Sequence, residues 1–113
     1  MKHIARVSVL SLLLLATAAA PTWAQSVDKG KAAYFGNGCW QCHGFVGQGG
    51  VTGPKLAPET KSLAYFAAFI RNTNGTMPPY SEKLLSKEEL ADIVAYLKSL
   101  PAGPDFKSIP LLN

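Results

Sequence analysis

Both cysteines of the chain fall within five consecutive residues, Cys39-Trp40-Gln41-Cys42-His43. In an exported protein, a cysteine pair is first interpreted as a disulfide. This spacing is also compatible with a thiol–disulfide redox centre or with half of a zinc site. A thioredoxin-like redox centre is expected in a βαβ unit, which requires strands. The choice therefore depends on the compartment, the secondary structure and the other potential ligands in the chain.

Residues 1–24 predict a secretory signal peptide. Lys2 and Arg6 form a basic start, and the apolar run Val7–Ala20 is too short to cross a hydrocarbon layer about 30 Å thick as a helix. Small residues precede an expected cleavage site after Ala24. We therefore expect the folded part of the chain in the periplasm. An uncleaved signal would instead anchor it to the membrane, facing the periplasm.

The predicted domain, residues 25–113, is small and only weakly charged. Its 89 residues include 38 apolar side chains, nine Lys or Arg and seven Asp or Glu, which gives a net charge of +2. This balance excludes a strongly basic nucleic-acid-binding domain and a disordered acidic chain. A single domain of this size has a marginal hydrophobic core of its own, so we expect something else to help hold it together.

The apolar spacing predicts three main helices and no strands. The first is expected over residues 27–35, after the potential cap Ser26, and the second over residues 60–71. The last follows a capping box of Ser86 with Glu89 and ends before Pro101. The predicted fold class is therefore all-α.

Long loops rich in glycine and proline connect these helices, over residues 39–58 and 72–80. Loops of this length are unusual in a compact domain unless they wrap around something. The C-terminal tail, about residues 101–113, contains three prolines and is expected to be extended. Its apolar residues predict either packing onto its own domain or docking onto a partner subunit.

A third interpretation of the cysteine motif is covalent haem attachment. Cys39 and Cys42 would add to the porphyrin as thioethers, and the adjacent His43 would bind the iron from one side. Zinc is the weakest alternative, because signal cleavage removes His3 and leaves only three Cys and His ligands. A haem interpretation also makes a further demand, since an iron used only for electron transfer needs a second protein ligand.

Met77 is the candidate for that second ligand. Once Met1 and His3 are removed, Met77 is the only methionine and His43 the only histidine of the chain, so two histidines within one molecule are impossible. Pro78 and Pro79 stiffen the backbone next to Met77. The alternative is a buried, gap-filling methionine. A single methionine in a polar, proline-rich loop is a poor core residue, so we expect Met77 to be the distal iron ligand.

These features together resemble those of a class I cytochrome c, a small bacterial monohaem protein with His/Met-ligated iron. The resemblance covers essentially all of residues 26–113. The matching positions are Gly30, Tyr34, the segment Cys39–His43, the segments Thr52–Leu56 and Gly75–Pro78, and Tyr96 and Leu97 in the last helix.

The resemblance implies a cytochrome c fold, with three main helices and long loops around one covalently bound haem c. Gly30 would allow the first and last helices to cross closely, with either Tyr34 or Phe35 at the crossing. The carbonyl of Pro54 would hold the ring of the iron-binding histidine, and Leu56 would pack against the haem.

Other side chains near the expected haem are less clearly assigned. Arg71 and Trp40 are candidate partners of the haem propionates. For Tyr65, Phe66 and Phe69 we expect core packing, although the same residues could line the haem crevice.

The implied function is one-electron transfer by haem c cycling between Fe(II) and Fe(III). An iron with two protein ligands has no vacant position, which argues against a small peroxidase or gas sensor. The protein is thus expected to be an electron carrier, free or as a subunit of an oxidoreductase complex, and not an enzyme. Expected partners are a redox donor and an acceptor, such as a dehydrogenase, a cytochrome complex or a terminal oxidase. No nucleic-acid binding and no stable membrane insertion are expected.

Overall fold

The computed structural model describes residues 24–59, 61–104 and 106–112. The predicted signal peptide therefore lies outside the described residues, apart from Ala24. The described chain contains helices and no strand, which confirms the all-α fold class. The helices are α1 (Val27–Gly36), α2 (Trp40–His43), α3 (Leu63–Arg71) and α4 (Lys87–Ser99), followed by two single 3₁₀ turns, Phe106–Ser108 and Pro110–Leu112.

Serine side chains determine where the three main helices begin. Ser26 caps α1 by accepting a hydrogen bond from the backbone nitrogen of Lys29. The second main helix starts at Leu63, three residues later than the sequence predicts. The reason is that the Ser62 side chain accepts a hydrogen bond from the Tyr65 nitrogen and so ends the preceding extended chain.

The capping box predicted for α4 is present. The Ser86 hydroxyl accepts a bond from the Glu89 nitrogen at 3.1 Å, and the Glu89 carboxylate accepts one from the Ser86 nitrogen at 2.9 Å. The helix ends at Ser99, ahead of Pro101, as predicted.

The first and last helices cross at Gly30, which makes the largest contact between elements in the described chain. A Cβ atom at this position would lie 1.9 Å from the backbone oxygen of Asp92, so only glycine allows the crossing. The backbone nitrogen of Ser26 also donates to the Asp92 carboxylate at 2.7 Å. The aromatic residue at the crossing is Tyr34, which is fully buried with its ring centroid 5.6 Å from that of Tyr96.

The hydrophobic core includes residues of this crossing and extends to α3. It joins the inner faces of α3 and α4 to Tyr34 and to two loop residues, Ala57 and Leu85. The tail starts as irregular chain from Pro101 to Pro104 and then forms the two 3₁₀ turns, so it is less extended than predicted. Among the described residues, no helix is both long enough and apolar enough to span a membrane.

Candidate functional site

A cavity of about 290 Å³ opens between the cysteine motif, α3, α4 and the loop that follows α3. Its lining is mostly apolar, and residues from every main helix contribute to it. All six site residues predicted from the sequence lie on its wall: Cys39, Cys42, His43, Pro54, Leu56 and Met77.

The two cysteines are presented by a single helical turn. Cys39 precedes α2 and its carbonyl accepts a hydrogen bond from the His43 nitrogen at 3.0 Å, so Cys39 and Cys42 lie on the same side of the turn. They are not joined in a disulfide. Burial raises the pKa of the Cys39 thiol, which favours the neutral form. The described chain also contains no strand, so it lacks the βαβ unit expected around a thioredoxin-like centre.

The His43 ring is buried at the floor of the cavity and has one nitrogen engaged. Its Nδ1 lies 2.8 Å from the carbonyl oxygen of Pro54, the contact expected between these residues. A carbonyl only accepts hydrogen bonds, so Nδ1 must carry the proton. In the neutral ring the other nitrogen, Nε2, carries no proton and has a lone pair available for a metal. This is the tautomer that an iron ligand requires.

Close backbone packing fixes the loop that brings Pro54 to His43. A Cβ atom on Gly53 would lie 2.7 Å from the Cys42 carbonyl oxygen and 3.0 Å from His43 Nδ1. The backbone nitrogen of Gly49 donates to the His43 carbonyl at 2.8 Å. The loop is thus folded directly over the residues that it orients.

Two tyrosines of the helix crossing hold the start of the same loop. The Tyr34 hydroxyl donates to the Gly44 carbonyl at 2.8 Å, and the Tyr96 hydroxyl donates to the Phe45 carbonyl at 3.3 Å. Burial raises the pKa of both phenols, so both remain neutral donors. The helix crossing therefore positions the residues that follow His43.

Met77 lines the cavity from the loop after α3 and is partly buried against the core. Its carbonyl accepts a hydrogen bond from the Thr73 hydroxyl. The same loop is tied to the end of α1, because the Tyr80 hydroxyl donates to the Asn37 carbonyl at 2.9 Å. His43, at the end of α2, and Met77, in the loop after α3, thus come from separate segments, each with its own anchors.

Some sequence interpretations of the cavity wall were wrong. Tyr65 and Phe69 are not core residues: each is about half exposed, lines the cavity and stacks on the other at a centroid distance of 6.3 Å. Only Phe66 of the three aromatics is buried in the core, and it also reaches the cavity wall.

The two candidate propionate partners do not reach the cavity. Neither Arg71 nor Trp40 is among the described residues that line it. Arg71 instead donates to two backbone carbonyls, and Trp40 packs against Phe35 and Phe45, which also contact each other.

Sequence reasoning missed a charged pair at the cavity wall. Glu59 is buried, and its carboxylate lies 3.7 Å from the Lys61 ammonium, with both residues lining the cavity. They belong to the irregular segment before α3, where no periodicity indicates which side chains turn inward. The Lys61 ammonium lies beside the Glu59 carboxylate and lowers the free-energy cost of burying this negative charge.

The chemistry of the wall fits covalently attached haem. It combines two thiols on one turn, an imidazole with a free lone pair, a thioether and an otherwise apolar surface. No three His, Cys, Asp or Glu side chains converge to hold a metal ion in the described parts of the chain.

Comparison with known proteins gives the same family. Residues 25–97 match the model of the family described as cytochrome c oxidase, cbb3-type, subunit III. Cytochrome c-555 of Methylococcus capsulatus is 29% identical over 109 residues, with 87% of this chain and 89% of that protein covered. No solved structure shows a significant match.

Two further relatives are much longer proteins. The cytochrome bc1 complex cytochrome c subunit of Corynebacterium diphtheriae is 37% identical over 71 residues, and that of Corynebacterium efficiens is 35% identical over 71 residues. Both matches cover 58% of this chain but only 25% and 23% of the respective relatives. The chain therefore belongs to the cytochrome c family, as a small monohaem electron-transfer protein whose cofactor is covalently bound haem c.

Proposed function

We propose that Cys39 and Cys42 attach the haem through thioethers and that His43 and Met77 are the two axial ligands of its iron. The observation that carries this proposal is the position of all four side chains on the wall of one apolar cavity. When bound, the haem supplies the one-electron couple between Fe(II) and Fe(III).

The residues around this site favour electron transfer over catalysis at the iron. Pro54 holds His43 in the tautomer with a free Nε2, and Met77 on the same cavity wall would supply the second protein ligand of the iron. The soft Met77 thioether and the apolar wall both favour the ferrous state, because burial penalises the extra positive charge of ferric iron. We therefore propose a carrier with a raised reduction potential and no open position for oxygen or peroxide.

The ligand assignment is tested by Met77→Ala, with Asn74→Ala in the same loop as the control, because Asn74 is exposed and does not line the cavity. Met77→Ala should abolish the near-infrared methionine–iron charge-transfer band of the ferric protein and lower the reduction potential. Asn74→Ala should keep both. An unchanged band in Met77→Ala would refute the assignment.

The thioether assignment is tested by Cys39→Ala and Cys42→Ala, one at a time. The pyridine haemochrome spectrum of the parent should be that of a haem with two saturated vinyl groups. Each single variant should give the spectrum of a haem with one remaining vinyl group. A parent spectrum of non-covalent haem, or haem removed by acid and organic solvent, would contradict the proposal.

We further propose export, with residues 1–24 as the signal peptide, and function in the periplasm. The basic start and the short apolar run support export. The mature protein isolated from a periplasmic fraction should begin at Gln25. An intact N-terminus in the membrane fraction would favour the anchored alternative.

The proposed role is a carrier between separate donor and acceptor proteins. The match over 89% of cytochrome c-555 supports a single-domain carrier, and the two bc1 subunit relatives support a cytochrome complex or terminal oxidase as partner. Tagged protein should be reduced and reoxidised by isolated membranes while it stays monomeric in gel filtration. Stable co-purification with a complex would indicate a permanent subunit instead.

A further inference from the structure

The loop that carries Met77 has little apolar contact of its own. Asn74, Gly75 and Thr76 are exposed, and a Cβ atom on Gly75 would meet nothing within 4 Å. Only Met77 and Tyr80 pack against the core from this segment, and each is only partly buried. Polar contacts must therefore contribute much of what holds the loop in place.

Arg71, the last residue of α3, provides two of these contacts. Its Nη1 donates to the carbonyl oxygen of Tyr80 and its Nη2 to that of Leu85, each at 2.7 Å. The planar guanidinium is suited to two such bonds at once, and bonds from a charged donor are stronger than neutral ones. One side chain thus ties the end of α3 to both ends of the segment that leads into α4.

Tyr80 is consequently held by hydrogen bonds at three of its groups. Its carbonyl accepts from Arg71, its nitrogen donates to the Ile70 carbonyl at 2.8 Å, and its hydroxyl donates to Asn37. Met77 lies three residues before this fixed point. The Thr73 hydroxyl donates a hydrogen bond to the Met77 carbonyl, so the loop is held by hydrogen bonds both before and after Met77.

We propose that Arg71 is the positioning residue that keeps Met77 on the iron. This inference rests on the proposed function, in which Met77 is the distal ligand. A neutral thioether is a weak ligand of ferric iron, so its occupancy depends on how often the loop opens. An external ligand binds only to the open form, and its apparent affinity therefore reports the open fraction.

The experiment is a titration of the ferric, haem-loaded protein with imidazole. Arg71→Gln removes the positive charge and the planar guanidinium that donates both hydrogen bonds. Arg71→Lys keeps the positive charge but has only one donor nitrogen. Asn72→Ala is the matched control, because the Asn72 amide donates to the Ala68 carbonyl within α3 and not to the loop. The titration is carried out well above the pKa of imidazole, where this ligand is neutral, so a change of protein charge does not directly alter its binding.

Arg71→Gln should bind imidazole about tenfold more tightly than the parent. The imidazole affinity of Arg71→Lys should lie between those of the parent and Arg71→Gln. The affinity of Asn72→Ala should stay within about twofold of the parent value. All three should retain the methionine–iron band before imidazole is added. Equal affinities in the parent and both Arg71 variants would overturn the inference, even if the variants unfold at lower temperature. If Arg71→Gln yields no haem-loaded protein, the affinity of Arg71→Lys decides in the same way.

Met77→Ala separates this inference from the function on which it rests. If Met77→Ala does not bind imidazole more tightly than the parent, the ligand assignment itself has failed. If it does and the Arg71 variants do not, only the positioning role of Arg71 is refuted.

Discussion

Two glycines control how closely the backbone segments around the haem site approach each other. At Gly30 a side chain would collide with α4, and at Gly53 it would collide with Cys42 and His43. Both have ordinary backbone angles, so the requirement is for space and not for a left-handed conformation. Alanine is therefore expected to be harmful at either position although it is a good helix former.

Gly30→Ala should lower the free energy of unfolding of the haem-loaded protein by about 2 kcal/mol or more, because the two crossing helices must separate. Guanidinium unfolding followed by far-ultraviolet circular dichroism measures the change. Gly36→Ala in the same helix is the control, since its Cβ would meet nothing within 4 Å. Equal stability of the two variants would show that the crossing is not tight.

Gly53→Ala should displace the loop that holds the His43 ring. We expect a loss of about 1–3 kcal/mol in the free energy of unfolding and a high-spin fraction in the absorption spectrum of the ferric protein. Gly103→Ala, at another glycine with open space around it, should leave both unchanged. A fully low-spin and equally stable Gly53→Ala would argue against close packing over His43.

At the scale of helices, local capping chemistry determines the ends. Ser86 and Glu89 satisfy two backbone nitrogens reciprocally at the start of α4, whereas Ser62 caps α3 without such a partner. This difference explains why the sequence predicted the start of α4 but placed the start of α3 too early.

Ser86→Ala should cost about 1 kcal/mol of stability, because it removes the side-chain acceptor for the Glu89 nitrogen. Thermal unfolding of the haem-loaded protein measures this loss. Ser99→Ala at the other end of α4 is the control: its hydroxyl donates to the carbonyl of Tyr96, within the same helix, so its removal should have a smaller effect. A larger loss of thermal stability in Ser99→Ala than in Ser86→Ala would mean that the capping box contributes little to stability.

The Glu89 contribution should depend on pH. Hydrogen bonds from the Ser86 nitrogen and hydroxyl lower the pKa of the Glu89 carboxyl. A lowered pKa in the folded state stabilises the protein above the unfolded-state pKa, and this stabilisation is lost as the pH falls through the folded value. The parent should therefore exceed Glu89→Gln in stability by a few tenths of a kcal/mol near neutral pH, a small effect because Glu89 is exposed. In acid unfolding curves the difference should vanish below the lowered pKa, and a difference that persists there would contradict this account.

The sequence predicted which candidate ligands line the cavity better than it predicted the rest of the cavity wall. The spacing of Cys39, Cys42 and His43 and the single Met77 limit the possible chemistry before any fold is known. Tyr65 and Phe69 could not be assigned, because an apolar stripe on a helix fits a core and a cofactor crevice equally well. The role of Arg71 depends on carbonyls up to 14 residues away, and their positions follow only from the folded loop.

At the scale of the whole molecule, the cavity is large for so short a chain. Its volume is about 290 Å³, and the mostly apolar side chains that line it lack packing partners on the cavity side. The haem therefore supplies much of the apolar contact that the chain lacks.

The haem-free chain should be largely unfolded. Cys39→Ser combined with Cys42→Ser prevents thioether formation, and its far-ultraviolet circular dichroism should show far less helix than the haem-loaded parent. Added haemin should restore part of the signal through non-covalent binding. Full helix content without haemin would refute this expectation.

The crossing of α1 and α4 also orders the events by which the protein is made. Residues 66 positions apart are joined there, by the bond from Ser26 to Asp92, so the crossing cannot form until the last helix has been synthesised. Cys39, Cys42 and His43 leave the ribosome long before that point. Until α4 has been synthesised, the nascent chain thus presents the attachment motif without the helix crossing that holds the loop after His43 in the folded protein.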